Sequence, residues 1–106
     1  RYGSPLLNVT FDPARPNEFA SYPVDDDGDR AERRYLIREG ILERPLGGKI
    51  SQQRADLSGV ACSRACSWNR PPIDRMANIN IESGTSSLEA LIAPIERGVW
   101  METNTS

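Results

Sequence analysis

The sequence predicts an α+β fold: an antiparallel, β-rich fragment with a β-hairpin, a central irregular loop and one capped α-helix near the C-terminus. Three observations carry this. Glu39-Gly40 stands as a two-residue turn between two short strand-like runs. Residues 76–81 alternate with a period of two, and Leu88, Leu91, Ile92 and Ile95 recur on one helical stripe. A chain of 106 residues with 38% apolar residues can build a modest core.

Taken in order, Leu6 to Phe11 reads as a strand, followed by a Pro- and Asn-rich segment that turns at Asp12-Pro13 and Pro16-Asn17. A second short strand is expected over Phe19 to Val24, ended by the acidic run Asp25-Asp26-Asp27-Gly28-Asp29. In the hairpin, Arg34 to Arg38 leads into Glu39-Gly40 and Ile41 to Arg44 returns, with glycine supplying a positive φ. Pro45 and Gly47-Gly48 close the return strand. Lys49 to Leu57 can make two helical turns or remain irregular.

The loop from Gly59 to Ile81 holds the most specialised residues: Cys62, Cys66, Trp68, Asn69, the pair Pro71-Pro72 and three arginines. Its final alternation predicts a buried Ile79/Ile81 face and an exposed or hydrogen-bonded Asn78/Asn80 face. Ser83-Gly84-Thr85 turns the chain. Ser86 with Glu89 three residues later predicts a capping box, and Arg97-Gly98 predicts a cationic last turn with a left-handed cap. Pro94 interrupts that helix, so a kink or a distorted last turn is expected there. Val99 to Met101 can begin another strand before the polar tail Glu102 to Ser106.

Several function classes lose support at this level. A net charge of −2 and a pI near 5.1 give no electrostatic attraction to nucleic acid. No apolar run approaches the roughly 20 residues of a membrane span. Two cysteines fit a cytoplasmic setting better than a disulfide-stapled secreted one. With no histidine, Ser-His-Asp and Cys-His chemistry are excluded. The chain opens without an initiator methionine, which points to a piece of a larger gene product.

The candidate sites each carry more than one reading. Cys62 and Cys66 form a solitary CxxxC, which suits ordinary thiols, a disulfide, or ligation completed by another chain. The acidic run fails the EF-hand pattern, since Arg30 and Leu36 fall where glycine and glutamate are required, so a hydrated acidic turn is expected. Arg64, Arg70 and Arg75 can hold a peptide or internal carbonyls through the guanidinium fork, or lie solvated. Trp68 is either a core-edge aromatic or the wall of a ligand groove or subunit contact. Asn69, Asn78 and Asn80 can pin an extended peptide or satisfy the local bend.

The run PPIDRMANINIESGTSSLEALIAPIERGVWM resembles the carboxy-terminal half of the TldD/PmbA family, long labelled modulators of DNA gyrase and regarded as zinc metallopeptidases. Arg75, Met76, Asn78, Gly84, Ser86, Leu88 to Ile95 and Gly98 carry the likeness. Upstream, Val24 to Gly28 is similar to the family's acidic turn and Leu36 to Leu42 to its hairpin, with Gly59 to Trp68 in the place of its loop. The resemblance spans roughly residues 20 to 103 and implies that residues 1–106 are a single fragment of a larger carboxy-terminal domain.

That family's zinc-binding HExxxH helix lies upstream of such a region and its third ligand, a cysteine, lies downstream of the final helix. Neither is found in these residues, and Cys62 and Cys66 match no metal position. The resemblance therefore implies a part of a zinc-dependent peptidase acting on unfolded peptides, contributing scaffold, peptide groove or subunit interface. No catalytic residue and no metal ligand is assigned here. Trp68, Asn69, Arg70, Arg75, Asn78 and Asn80 are the peptide-binding or structural candidates. The implied partners are a peptide or unfolded protein and a second subunit, identical or a family paralogue. The alternative is a non-catalytic peptide-binding or regulatory partner subunit.

Overall fold

The structure, a computed structural model, describes residues 1–103. Six short strands and two short helices follow in the order β1 Val9–Phe11, β2 Arg34–Arg38, β3 Ile41–Leu42, α1 Lys49–Ala55, β4 Ser63–Arg64, β5 Ile73–Asp74, β6 Ile79–Ile81 and α2 Leu88–Ile92. Four of the strands form one antiparallel sheet in the order β3-β2-β1-β6, and β4-β5 form a separate antiparallel ribbon. The α+β class and the hairpin are as the sequence predicts.

The hairpin turn is tighter than its glycine alone required. Glu39 and Gly40 both take positive φ, 49° and 73°, the pairing that matches the twist of two adjoining strands. The N-terminal segment crosses this turn: the amides of Tyr2 and Gly3 donate to the Gly40 carbonyl, and the Gly40 amide donates to the Leu7 carbonyl. A Cβ at residue 40 would strike the backbone carbonyls of Gly3 and Ser4, so glycine is required there twice over.

A register shift between β1 and β2 pairs Val9 with Ile37 and Thr10 with Tyr35, leaving Leu36 without an opposite residue. Leu36 turns into a small core with Phe11, Val60 and Cys62, against which Val9, Tyr22, Ala77 and Ile79 pack. The segment expected to hold a strand over Phe19 to Val24 is a loop with a single bridge, Val24 to Arg30. Asn78 explains why. Its Oδ1 accepts from the Ala20 amide at 2.8 Å, and its Nδ2 donates to the Asp12 carbonyl and to Ser21 Oγ. A side-chain amide thus supplies the partners that a neighbouring strand would have supplied.

Several expectations need correction near the C-terminal end. Ile81 is 75% exposed, not buried, because it lies past the edge of the core. The helix cap is Ser87, whose Oγ accepts from the Ala90 amide, so Ser86 and Glu89 form no reciprocal box. The helix ends at Ile92, two residues before Pro94, and Gly98 has no left-handed conformation. Pro94 has no amide to donate to the Ala90 carbonyl, so the helical ladder stops with the Ala93 amide on the Glu89 carbonyl. Val99 to Met101 form no strand, and of the polar tail Asn104 to Ser106 lie outside the described residues.

Candidate functional site

The loop of specialised residues is partly ordered into the β4-β5 ribbon, in which Ser63 faces Asp74 and Arg64 faces Ile73. Carboxylates from elsewhere in the chain hold its base. Asp25, only 5% exposed, accepts at Oδ1 from the amides of Asp27 and Asp29 and at Oδ2 from the Ser63 amide. Asp26 accepts from the Ala65 amide at 2.6 Å, and its own amide donates to the Ser63 carbonyl. The acidic run is therefore a largely exposed turn, as its composition predicts, whose first two carboxylates also bracket the ribbon. Charged acceptors on backbone amides are among the stronger hydrogen bonds available.

Asp74 works from the ribbon in the opposite direction. Its carboxylate accepts from the Gly48 amide at 2.7 Å and from the Ser51 hydroxyl, at the first turn of α1. Gly48, the N-cap residue, has no side chain to do this itself. The close approach also needs glycine, since a Cβ at residue 48 would meet Ser63 Oγ. Arg64 completes the base. Its Nη2 donates to the Met76 carbonyl and its guanidinium lies 5.4 Å from the Tyr22 ring. Tyr22 in turn donates its hydroxyl to the Ala61 carbonyl at 2.9 Å. Burial is the main reason that its phenol pKa is pushed up to about 12, against the opposing pull of Arg64.

The ribbon tip is unlike its base. From Cys66 to Pro71 every residue is exposed, Trp68 at 95%, and within the turn only the Arg70 amide donates locally, to the Ser67 carbonyl. Trp68 is not the core-edge aromatic of the simpler reading. Trp68, Asn69 and Arg70 are brought together at this tip, while Arg75 is exposed near the ribbon base with its amide on the Cys62 carbonyl. Asn78 and Asn80 sit apart, on the sheet. Asn78 is 7% exposed and occupied by the internal bonds above; Asn80 donates to Glu18.

β6 is an edge strand, and its direction can be read from its bonds. The Asp12 amide donates to the Asn78 carbonyl and the Glu82 amide to the Asn8 carbonyl. Backbone groups alternate along an antiparallel strand, so Asn80 also faces β1 while the amides and carbonyls of Ile79 and Ile81 face away from it. Among the described residues no strand lies on that side. Across the sheet, Thr10 donates to Glu82, which also pairs with Arg33 at 2.8 Å. Those two bonds, Thr10 first, hold the Glu82 carboxyl below its usual range.

The residues present do not suit zinc. Cys62 is buried in the core, where desolvation raises its thiol pKa, whereas Cys66 is exposed on the ribbon tip. Among the described residues no three His, Cys, Asp or Glu side chains converge as a metal-binding group. No helix of the described residues is long and apolar enough to cross a membrane.

A profile of the PmbA/TldA metallopeptidase C-terminal domain matches residues 1–105. The chain belongs to the TldD/PmbA family. It is 31% identical over 102 residues to a metalloprotease of Methanocaldococcus jannaschii, covering 96% of this chain and 22% of that protein. It is 29% identical over 97 residues to a metalloprotease TldD homolog of Haemophilus influenzae, covering 92% of this chain and 20% of that one. Among solved structures it resembles TldE from Thermococcus kodakarensis, with a TM-score of 0.75 and 21% identity over 92% of this chain and 22% of that chain. The fold is thus shared with TldE, and the chain spans about a fifth of the length of the curated relatives it matches.

Of the residues that organise the site, Tyr22 and Asp74 were not singled out by their chemistry, and Asp25 and Asp26 were read only as part of an acidic turn. The Asp25-to-Gly28 spacing is a usable signal for a side chain closing its own turn. Asp74 capping a helix 26 residues upstream leaves no local trace.

Proposed function

We propose that these residues are a fragment of the carboxy-terminal domain of a zinc-dependent peptidase that acts on unfolded peptides. They contribute scaffold, a peptide edge and a subunit interface, while the zinc is held by groups outside them. Membership of the metallopeptidase family supports the activity of the whole protein, and the open side of β6 supports the peptide role. An extended peptide lying along β6 would exchange backbone hydrogen bonds with Ile79 and Ile81, a mode that accepts many sequences because the side chains are not read. Within the candidate set, Asn78 and Asn80 then act by shaping β6, Arg75 lies near its start, and Trp68, Asn69 and Arg70 face a partner. The second subunit is a further copy or a family paralogue, and the parent works in the cytoplasm.

The β6 edge is the observation that carries the peptide role, and one substitution tests it. Ile81→Pro removes an outward amide while leaving the bonds from β6 to β1 intact. In the full-length parent, hydrolysis of an unfolded polypeptide is expected to show a raised KM with zinc content unchanged. An unchanged KM refutes the β6 edge. A parent that contains no zinc and hydrolyses nothing, yet binds the polypeptide, identifies it as the non-catalytic partner subunit.

A further inference from the structure

We infer that the open edge of β6 selects its peptide, favouring segments in which an apolar residue is followed by a lysine or arginine, with Glu82 as the specificity-determining side chain. This rests on the peptide role proposed above for that edge and adds the chemistry of the guest. Exchange of backbone bonds with Ile79 and Ile81 is the same for every sequence, so any preference comes from the side chains that flank it. Those side chains lie on two unlike faces. Ile79 packs against the core, and Ile81, on the same side, is 75% exposed beyond it. Asn80, opposite Thr10, and Glu82 stand on the other side, where Asn80 donates to Glu18 and Glu82 accepts from Thr10 and Arg33. In a strand added to β6, each residue shares a face with the β6 residue opposite it, at a Cβ separation of roughly 5 Å. The guest residue beside Ile81 therefore meets an exposed apolar side chain, and the guest residue beside Glu82 meets a carboxylate.

Two features make Glu82 a receiver of positive charge. The first is geometry. Both of its bonds fall on Oε1, which orients the carboxylate, and Oε2 takes part in none among the described residues. The side chain keeps 30% of its surface exposed. The second is charge. Arg15 is matched by Glu18 at 3.2 Å, whereas Arg33 is shared between Asp12 at 3.6 Å and Glu82 at 2.8 Å. In this linked group Asp12, Glu18 and Glu82 stand against Arg15 and Arg33, three acids to two bases, a formal charge of −1. Arg38, which lies over the Tyr35 ring, is paired with Glu43. The bonds from Thr10 and Arg33 hold the Glu82 carboxyl below its usual range, so it is ionised at neutral pH. A basic guest residue opposite Glu82 gains a partner there, and an acidic one meets a like charge.

The test uses the full-length parent and a neutral, unstructured peptide through which a single lysine, and then a single glutamate, is stepped position by position. The readout is kcat/KM or, where the parent binds without cleaving, Kd. Lysine is expected to be favoured over glutamate about fivefold at one position and not at its neighbour, and the preference should shrink as salt rises. Glu82→Gln, which keeps an oxygen for the Thr10 hydroxyl, should bring that lysine-to-glutamate ratio close to one. Each ratio is taken within one preparation, so a smaller folded fraction does not change it. A flat scan in a parent whose KM or Kd is raised by Ile81→Pro overturns the charge selection and leaves the β6 edge standing. A preference that survives Glu82→Gln overturns the role of Glu82. An Ile81→Pro parent with unchanged KM or Kd overturns the edge, and the selection with it.

Discussion

Residues 9–82 and the segment from Gly84 to Met101 are built on opposite terms. In the first, polar side chains tie together segments that are distant in sequence: Asn78 to Ala20, Asp25 to Ser63, Asp74 to Gly48 and Thr10 to Glu82. In the second, the backbone bonds and the Ser87 cap reach no further than four residues, and Leu88, Leu91, Ile92 and Ile95 are all exposed. The radius of gyration of 17.1 Å, against about 13 Å for a compact domain of this size, fits an extended body with such an arm. The lesson is that strong apolar periodicity specifies a helix without determining what it packs on, whereas a short polar-rich stretch can be the better-anchored structure.

That contrast can be broken or sharpened by substitution. The largest effect is expected at Asn78. Asn78→Ala removes one acceptor and two donors from a buried site, leaving the Ala20 amide and Asp12 carbonyl short of partners, and should cost about 3 kcal/mol in urea unfolding. A loss below about 1 kcal/mol would show that the polar bracing of the sheet is dispensable. Gly40→Ala is next, at about 2 kcal/mol, because the new methyl group meets backbone that can move only if the N-terminal segment lifts from the hairpin. Amide exchange at Tyr2 and Gly3 should then accelerate. Unchanged exchange would show that the crossing survives.

Alkaline titration probes the braced region without mutation, through Tyr22. Tyr22 has its folded-state pKa raised from 10.0 to about 12, so the stability it contributes is fully present below pH 10 and is lost as pH rises toward 12. One of the three tyrosines should ionise only near pH 12 in the folded chain, by tyrosinate absorbance, and Tyr22→Phe should remove that step. Retention of the step in Tyr22→Phe would assign it elsewhere. The smallest effect is expected in the arm. Leu91→Ala should change stability by less than about 0.5 kcal/mol, since its side chain is already exposed. A cost comparable with that of Asn78→Ala would mean that the arm is packed in solution.

Legibility followed the range of the interactions. The Glu39-Gly40 turn, the later half of the Leu6 to Phe11 strand, a strand at the end of the 76–81 alternation and a serine-capped helix near residue 88 rest on neighbours within a few positions, and these are present. The cap differs by one residue, Ser87 for Ser86, a choice between neighbours of nearly equal strength, and the helix stops five residues short of Arg97 because Pro94 interrupts its ladder. Trp68 and Asn78 show the other limit. Both were candidates for the same role, yet one is 95% exposed at the ribbon tip and the other is sealed beneath a loop. Nothing in the composition around either residue distinguishes them. Asp25 was legible as a turn former but not as an anchor for Ser63, 38 residues later.

By itself, then, the sequence determined the α+β class, the hairpin and its glycine, the general place of the C-terminal helix and the family, because turn chemistry, periodicity and motif order act along the chain. Only the tertiary structure decided which polar residues became internal braces, which stayed at the surface, and which side of β6 remained open. Those outcomes depend on whether a donor and an acceptor far apart in sequence meet within about 3 Å, and that distance is set by how the strands pair.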